Sequence, residues 1–313
     1  MTASTRNRSG STSHDLRFQV LVLPKVPWPE YLDRFVRLEA LGFDVAAAPD
    51  HFCDWSNPTG PWLEAWTCLA AIAARTSTIR LTTCVTQIPL RNPAVLAHQA
   101  ITVDQISGGR VELGLGTGLT IDPSYDMIGV PNWTSRERVV RFAEYVELLG
   151  HLVADGVTDY HGSYYQSNGA VMNPSSVQRP RLPIMVAALG PQMLRHAVQH
   201  ADIWNSLSFA ADFGEQLAEL GDRCMTIDEL CAEYGRDPAS LRRSYTMFDA
   251  NARASGGAIN YYESDDVFVD MVKQVVALGI TEISLYYPAV ASQMAAFERI
   301  ATEVLPVLRR EHV

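Results

Sequence analysis

The chain has 313 residues, of which 47% are apolar and 19% are charged, a composition typical of a globular protein with a large core. Its 25 basic residues against 35 acidic residues give a net charge of −10, which argues against nucleic acid or an anionic membrane as a partner. The five cysteines are scattered, with no C-x-x-C pair, and no apolar run approaches the roughly 20 residues of a membrane span. These features predict a cytoplasmic protein without a disulfide framework.

Short apolar runs alternate with longer helical patterns from residue 17 onward. Most of these runs are nearly continuous, which is typical of strands buried on both faces of a parallel sheet. Between them, apolar residues recur at helical spacing, as in Phe142, Val146 and Leu149. The eight predicted strands are 18–23, 45–48, 79–86, 111–116, 184–189, 202–208, 243–248 and 282–287.

Eight strand–helix pairs favour an α/β fold that closes into a single (β/α)₈ TIM barrel, because open parallel sheets more often have five or six strands. We predict one barrel domain over residues 16–313 and a disordered tail over residues 1–15. Two connections exceed ordinary loop length. Residues 155–183, after the fourth helix, are predicted to be an insertion with a small hairpin, and residues 249–263 contain a glycine pair suited to a lid. Each of them could equally be a plain surface excursion.

Active sites of such barrels lie at the carboxyl ends of the strands. Among the eight histidines only His51, directly after Asp50, is predicted at such a strand end. Two interpretations are open: a pair with Asp50 that closes the barrel rim, or a general base or hydrogen-bond donor to a substrate oxygen. Trp55 is either core packing or an aromatic wall beside His51.

Two glycine-containing segments also fall at strand ends. The spacing Gly114-x-Gly116-x-Gly118 does not match the dinucleotide fingerprint, but glycine there allows a flat ring to approach the backbone, or forms a tight turn. Gly190-Pro191 begins the helix after the fifth strand, where free amides favour an anion such as a cofactor phosphate, or simply cap the helix. The strand ends offer neither clustered metal ligands nor convincingly paired carboxylates, so we predict no metal site, no metal-dependent hydrolase and no glycosidase.

Several segments together resemble the luciferase-like family, in particular its coenzyme F-420 (deazaflavin)-dependent branch. They occur in the family's order and span almost the whole chain, from about residue 17 to residue 310. The resemblance implies a barrel with an insertion after helix four, usually dimeric, that holds a flavin-type ring at the carboxyl-end rim. The segments are 48–52 with Trp55, 89–96, 107–118, 186–191 and 201–205.

Matching positions also imply the site residues. His51 is the expected catalytic residue, and a cis peptide bond is expected between Cys84 and Val85. The expected cofactor-binding residues are Asp50, Trp55, Cys84, Val85, Thr117, Gly118, Leu189, Gly190 and Pro191.

One position departs from the family pattern. Sugar-phosphate dehydrogenases of this branch carry a proton-donating glutamate just after the strand-four Thr-Gly, where this chain has Leu119. We therefore expect a more apolar substrate than a sugar phosphate. Leu119, Met247 and Tyr286 are the predicted substrate-pocket residues, although core packing is the alternative for Met247 and Tyr286.

Three functions remain as hypotheses. The first is F-420-dependent hydride transfer to or from a small, fairly apolar organic molecule, with His51 handling the proton. The second is an FMN-dependent monooxygenase that uses reduced FMN, oxygen and a partner flavin reductase; the turn at 189–191 lacks the small hydroxyl-rich sequence that FMN members often have. The third is a flavin-binding protein without catalysis. A homodimer with a small-molecule substrate, and with neither nucleic-acid nor membrane partners, is expected.

Overall fold

The computed structural model describes residues 14–154 and 156–312. The predicted disordered tail, residues 1–15, lies outside these ranges except for its last two residues. Within them the strands are β1 (Arg17–Leu21), β2 (Val45–Asp50), β3 (Arg80–Gln87), β4 (Val111–Gly116), β5 (Val157–His161), β6 (Gln166–Val171), β7 (Ile184–Ala187), β8 (Ile203–Leu207), β9 (Arg242–Thr246) and β10 (Glu282–Tyr286). The α-helices are α1 (Trp28–Ala40), α2 (Ala65–Ala73), α3 (Pro93–Ser107), α4 (Ser124–Ile128), α5 (Ser135–Leu152), α6 (Pro191–His200), α7 (Phe213–Glu233), α8 (Ala250–Ser255), α9 (Asp265–Val276), α10 (Met294–Arg299) and α11 (Leu305–His312).

Eight strands of the described chain close into a parallel barrel in the order β1-β10-β9-β8-β7-β4-β3-β2. The predicted (β/α)₈ barrel is therefore confirmed, and so is the insertion after its fourth helix, α5, where β5 and β6 form an antiparallel hairpin. No helix among the described residues has the length and apolar character needed to cross a membrane.

The strand boundaries differ from the predicted ones by a few residues at most. The largest extension is in β2, which continues to Asp50 because Asp50 pairs with Thr86 of β3 beyond a register shift. One of the shortened strands is β7, which ends at Ala187 opposite Asn205, so that Leu189 belongs to the turn into α6.

The close approach of β3 and β4 requires a glycine. A Cβ atom at Gly114 would lie 1.8 Å from the carbonyl oxygen of Thr83, a distance no side chain tolerates. This contact falls within the stretch between Thr82 and Thr86, where β3 shifts register relative to β4. This irregular stretch of β3 forms part of the open end of the barrel, where the candidate site lies.

Charged side chains close the opposite, amino end of the barrel. Arg17 donates two hydrogen bonds of 2.8 Å to Glu112, and Arg80 Nε donates a third of 2.5 Å. Burial alone would raise the pKa of Glu112, but Arg17 and Arg80 hold it below its usual value. Within the part of the chain that the structure describes, this ion-pair cluster covers the amino end of the barrel interior.

The connection after β9 folds over that carboxyl end. Asp249 organises it, because its Oδ1 accepts hydrogen bonds from two amides at the start of α8 and its Oδ2 accepts one of 2.8 Å from the Asn260 amide. From α8, Arg253 Nη2 reaches Asp54 Oδ1 at 3.3 Å, across the barrel mouth. The segment predicted as a possible lid thus contacts the loop that follows β2.

Candidate active site

A cavity of about 550 Å³ opens at the carboxyl ends of the strands, within the roughly 300–1,000 Å³ range of small-molecule sites. The structure brings most of the predicted site residues together around it. Those that line the cavity are His51, Trp55, Cys84, Val85, Thr117, Gly118, Leu119, Leu189, Gly190 and Tyr286.

Asp50 does not line this cavity, and its predicted contact with the cofactor stays a prediction. Its carboxylate is buried and accepts hydrogen bonds from Arg91 Nε at 2.7 Å and Arg91 Nη2 at 2.8 Å. Thr86 Oγ1 donates a further bond of 2.9 Å. Both carboxylate oxygens are occupied by these partners, and Asp50 joins the end of β2 to the segment that precedes α3.

Two other predicted positions also lie away from the cavity. Met247 is buried and its place in the wall is taken by Phe248, because successive residues of an extended chain point in opposite directions. Pro191 is the exposed first residue of α6, whereas Leu189 and Gly190 before it line the cavity. Met247 therefore does not contribute to the substrate pocket as predicted, whereas the predicted contact of Pro191 with the cofactor stays a prediction.

His51 pairs with Asp122, not with Asp50. The His51 Nδ1 atom lies 2.6 Å from Asp122 Oδ2, and the imidazole packs edge to face against Trp62, with ring centroids 5.9 Å apart. The interpretation in which His51 and Asp50 form a closing pair at the rim is therefore wrong. Asp122 belongs to the connection between β4 and α4, whose chain crosses over the end of β2.

The carboxylate of Asp122 is buried and fully partnered. Its Oδ1 accepts a hydrogen bond of 2.9 Å from the Ser124 amide, and its Oδ2 accepts one of 3.0 Å from Gln87 Nε2. Burial alone would raise its pKa, but the hydrogen bonds from His51, Ser124 and Gln87 hold the pKa of Asp122 well below its usual value. Asp122 is therefore ionised at neutral pH.

Gln87 connects this pair to a deeper polar network. Its Nε2 also donates to the Asp50 carbonyl oxygen at 3.2 Å, while its Oε1 accepts from the Tyr125 hydroxyl. Arg138 Nη1 lies 3.2 Å from that hydroxyl and donates a 2.8 Å bond to the Thr117 carbonyl oxygen. The network fixes the ends of β2, β3 and β4 relative to α5.

The hydrogen-bond network around Gln87 and Tyr125 requires a glycine at position 118. Its φ is +72°, and a Cβ atom there would lie 2.1 Å from the Tyr125 hydroxyl oxygen and 2.4 Å from Gln87 Oε1. Only glycine adopts this conformation and leaves that space open.

The peptide bond between Cys84 and Val85 is cis, as expected from the resemblance. The Val85 side chain packs against Gly116, where a Cβ atom would lie 2.5 Å from Val85 Cγ2. Burial raises the pKa of the Cys84 thiol to about 12, so Cys84 stays protonated and is not a nucleophile at neutral pH.

The amino end of α6 opens on the other side of the cavity. Gly190 is its N-cap residue, and among the described residues no side chain caps this end and no atom would lie within 4 Å of a Cβ atom there. The free amides and the positive end of the helix dipole favour an anionic group at this place.

A second, smaller cavity of about 300 Å³ adjoins the first. The two share Leu23, Phe248, Arg253 and Tyr286. Arg253 lies over the Trp55 ring at 5.4 Å and shares the buried Asp54 carboxylate with Lys25, whose Nζ is 2.5 Å from Asp54 Oδ2. Arg253 and the loop after β2 thus form a partition between the two cavities.

Sequence reasoning missed Asp122, Trp62 and Arg253. Asp122 carried a usable signal, because it lies six residues beyond the end of β4 and therefore near the same rim as His51. Trp62 and Arg253 lie in long connections, where position along the chain gives no indication of what they contact.

Comparison with known proteins shows which sequences this chain is similar to. The model of the luciferase-like monooxygenase family matches residues 2–258. An F420-dependent glucose-6-phosphate dehydrogenase of Intrasporangium calvum is 29% identical, over 90% of this chain and 95% of that protein. A protein of the same name from Nocardia farcinica is 34% identical, over 68% of this chain and 62% of its own length.

Solved structures agree in fold. An F420-dependent secondary alcohol dehydrogenase, in complex with an F420–acetone adduct, superimposes with a TM-score of 0.79, covering 94% of this chain and 99% of that chain. Its sequence is only 18% identical, so this likeness shows the fold alone. The family match covers well over half of the chain and confirms the resemblance. The chain belongs to the luciferase-like monooxygenase family.

Proposed function

We propose that this protein is an F-420-dependent oxidoreductase acting on a small, fairly apolar organic substrate. The observation that carries the proposal is the His51 imidazole at the edge of an apolar cavity, held from behind by a buried carboxylate. The relatives named F420-dependent dehydrogenases support the choice of cofactor. The FMN-dependent monooxygenase and the non-catalytic flavin-binding protein are less favoured, because neither is named among these relatives.

The cavity suits a deazaflavin. Val85, Thr117 and Gly118 would hold the flat ring system against the ends of β3 and β4. Gly116, in the same wall, has no side chain that would project toward the ring. The amides at the start of α6, next to Gly190, would bind the anionic tail. When bound, the deazaflavin accepts or supplies a hydride at ring carbon 5.

The residues of the chain then provide orientation, exclusion of water and a proton relay. Trp55, Trp62 and Leu119 line the cavity beside His51 and exclude water from the reacting atoms. His51 exchanges a proton with the substrate oxygen while the hydride moves between substrate carbon and cofactor.

The substrate is proposed to be less polar than that of the named relatives. Leu119 stands where sugar-phosphate dehydrogenases of the resembling branch have glutamate, and its side chain is 42% exposed on the cavity wall. Ile121, also in the wall, is 68% exposed. An apolar substrate would cover both side chains, whereas a sugar phosphate would leave its own hydroxyl groups unpaired against them.

Turnover tests the proposal. Purified protein with oxidised F-420 is given a panel of apolar alcohols, and glucose 6-phosphate in parallel, while the loss of oxidised cofactor is followed by absorbance. We expect reduction with apolar alcohols and little with the sugar phosphate. His51→Ala should lower turnover by about 10²- to 10⁴-fold while F-420 affinity changes little. Equal turnover in both proteins would remove His51 from the mechanism, and binding without turnover of any substrate would favour the non-catalytic alternative.

We also propose a homodimer, as the family resemblance implies, in the cytoplasm, as the scattered cysteines indicate. The measurement is the molar mass in solution by light scattering, with about twice the mass of the 313-residue chain expected and a monomer contradicting it.

A further inference from the structure

The contacts of His51 determine which ring nitrogen carries the proton. A carboxylate oxygen only accepts hydrogen bonds, so Nδ1, which lies 2.6 Å from Asp122 Oδ2, must donate. Gln87 Nε2 lies 2.8 Å from the same nitrogen, and it is the donor end of the amide because the Tyr125 hydroxyl donates to Gln87 Oε1. The two hydrogens of Nε2 are directed to Asp122 Oδ2 and to the Asp50 carbonyl oxygen, which leaves none for Nδ1. If Nδ1 carried no proton, its lone pair would face the anionic Asp122 oxygen at 2.6 Å and the two would repel each other. The proton of the neutral ring is therefore on Nδ1.

The carboxylate stays ionised and acts only through the ring. Asp122 is buried and does not line the cavity, so it does not replace the glutamate that Leu119 lacks. Its two oxygens accept hydrogen bonds from the Ser124 amide, Gln87 and His51, and its lowered pKa agrees with a permanent charge.

The other charged or titratable groups near the His51 ring are paired with partners of their own. Asp50 is held by Arg91, and the Tyr125 hydroxyl lies next to Arg138. Arg253, on the cavity wall, shares Asp54 with Lys25. Asp122 is therefore the charged group in direct contact with the imidazole.

We propose that Asp122 is the positioning residue that holds His51 with Nδ1 protonated, which leaves Nε2 as the ring nitrogen that accepts the proton of the substrate hydroxyl. This inference rests on the proposed function. In the oxidation, the carbinol C–H bond breaks, and bound F-420 would be the acceptor of that hydrogen with both electrons. The O–H proton moves to His51 Nε2, and a C=O bond forms. The substrate is oxidised by two electrons and the cofactor is reduced; in reverse, the imidazolium returns the proton to the carbonyl oxygen.

The tautomer of His51 is measurable without any turnover. Protein labelled with ¹⁵N-histidine gives long-range proton–nitrogen correlations that distinguish the two ring nitrogens, and a His51→Gln variant assigns the signal among the eight histidines. We expect the neutral His51 ring of the wild-type protein to carry its proton on Nδ1. A proton on Nε2 would overturn the inference, whatever the activity of the enzyme.

Asp122→Asn should reverse the tautomer, for a reason specific to this site. The backbone amide of Ser124 cannot turn away and keeps the oxygen at the Oδ1 position, whereas the Gln87 side chain can give up its contact with Oδ2. The new amide nitrogen therefore takes the Oδ2 position and donates to His51 Nδ1. Nε2 then carries the proton and cannot accept one from the substrate. We expect kcat to fall by about 10²- to 10⁴-fold, with KM changed by less than about threefold.

Two further results separate this inference from the proposed function. Asp126→Asn, at an exposed position of the adjacent helix α4, should match the wild-type protein in both tautomer and kcat. Wild-type turnover with an unchanged kcat in Asp122→Asn would overturn the role of Asp122 and leave the proposed function intact. Absence of turnover in the wild-type protein would overturn the proposed function, while the His51 spectrum would still decide which nitrogen is protonated.

Discussion

Arg91 holds both carboxylate oxygens of Asp50, with Nε at 2.7 Å from Oδ2 and Nη2 at 2.8 Å from Oδ1. Bidentate pairs of this kind fix orientation as well as distance. The pair joins the end of β2 to the segment before α3. The pair therefore sets the position of His51, which follows Asp50 in the chain, even though neither Asp50 nor Arg91 lines the cavity.

The first prediction concerns this pair. Arg91→Met leaves the buried Asp50 charge without its main partner, and breaking a buried pair in this way costs about 3–5 kcal/mol of unfolding free energy. Urea denaturation followed by circular dichroism measures the loss. Arg195→Met removes an exposed ion pair with Glu233 and should leave the denaturation midpoint unchanged. A similar midpoint for both variants would show that the Asp50–Arg91 pair is not structural.

The second prediction concerns pH. The folded-state pKa of Glu112 is depressed by Arg17 and Arg80, so its stabilisation is present above the unfolded pKa of about 4.3 and is lost as pH falls through the lower folded value. Glu112→Gln should be less stable than wild type at pH 7, and the difference should shrink at acid pH. Denaturation at several pH values tests this, with the exposed Glu303→Gln as control. A stability difference that does not depend on pH would contradict the assignment.

The third prediction concerns the amino end of α6. Asp at position 190 would cap the helix and raise the unfolding free energy by about 1 kcal/mol, but its charge would repel an anionic cofactor tail. We expect Gly190→Asp to be more stable than wild type and to bind F-420 about tenfold more weakly. Gly190→Asn, which caps without a charge, should lose much less affinity. Unchanged F-420 affinity in the Asp variant would place the tail elsewhere.

The fourth prediction concerns Leu119. Leu119→Glu places a carboxylate in the apolar wall, and we expect kcat/KM for apolar alcohols to fall by about tenfold or more because an apolar substrate would desolvate the charge. Leu119→Ala keeps the wall apolar and should lose only a few-fold. Initial rates over a series of alcohols give both numbers. Equal losses in the two variants would indicate that side-chain volume, not polarity, selects the substrate.

The sequence was sufficient for the barrel and for much of its rim. Continuous apolar runs separated by amphipathic segments determine the strand order along the chain, and the rule that strand ends meet at one face identified His51. The family resemblance added the positions of Cys84, Val85 and Gly190.

What the sequence did not predict depends on contacts between distant segments. Asp122 follows His51 by 71 residues, and their pairing arises only when the connection after β4 folds across β2. The sequence did not predict the partner of Asp50 either, since Arg91 is 41 residues away along the chain. Phe248 lines the cavity in place of the predicted Met247, because neighbouring side chains of an extended chain point in opposite directions and the sequence alone does not show which one faces inward.

The most direct test of the account is a parallel calorimetric titration of the purified protein with F-420 and with FMN. We predict micromolar or tighter binding of F-420, about −8 kcal/mol or more favourable, and weak or absent binding of FMN. Preferential binding of FMN would contradict the account and move the function to an oxygen-using monooxygenase with a partner reductase, and binding of neither would contradict the cofactor assignment altogether.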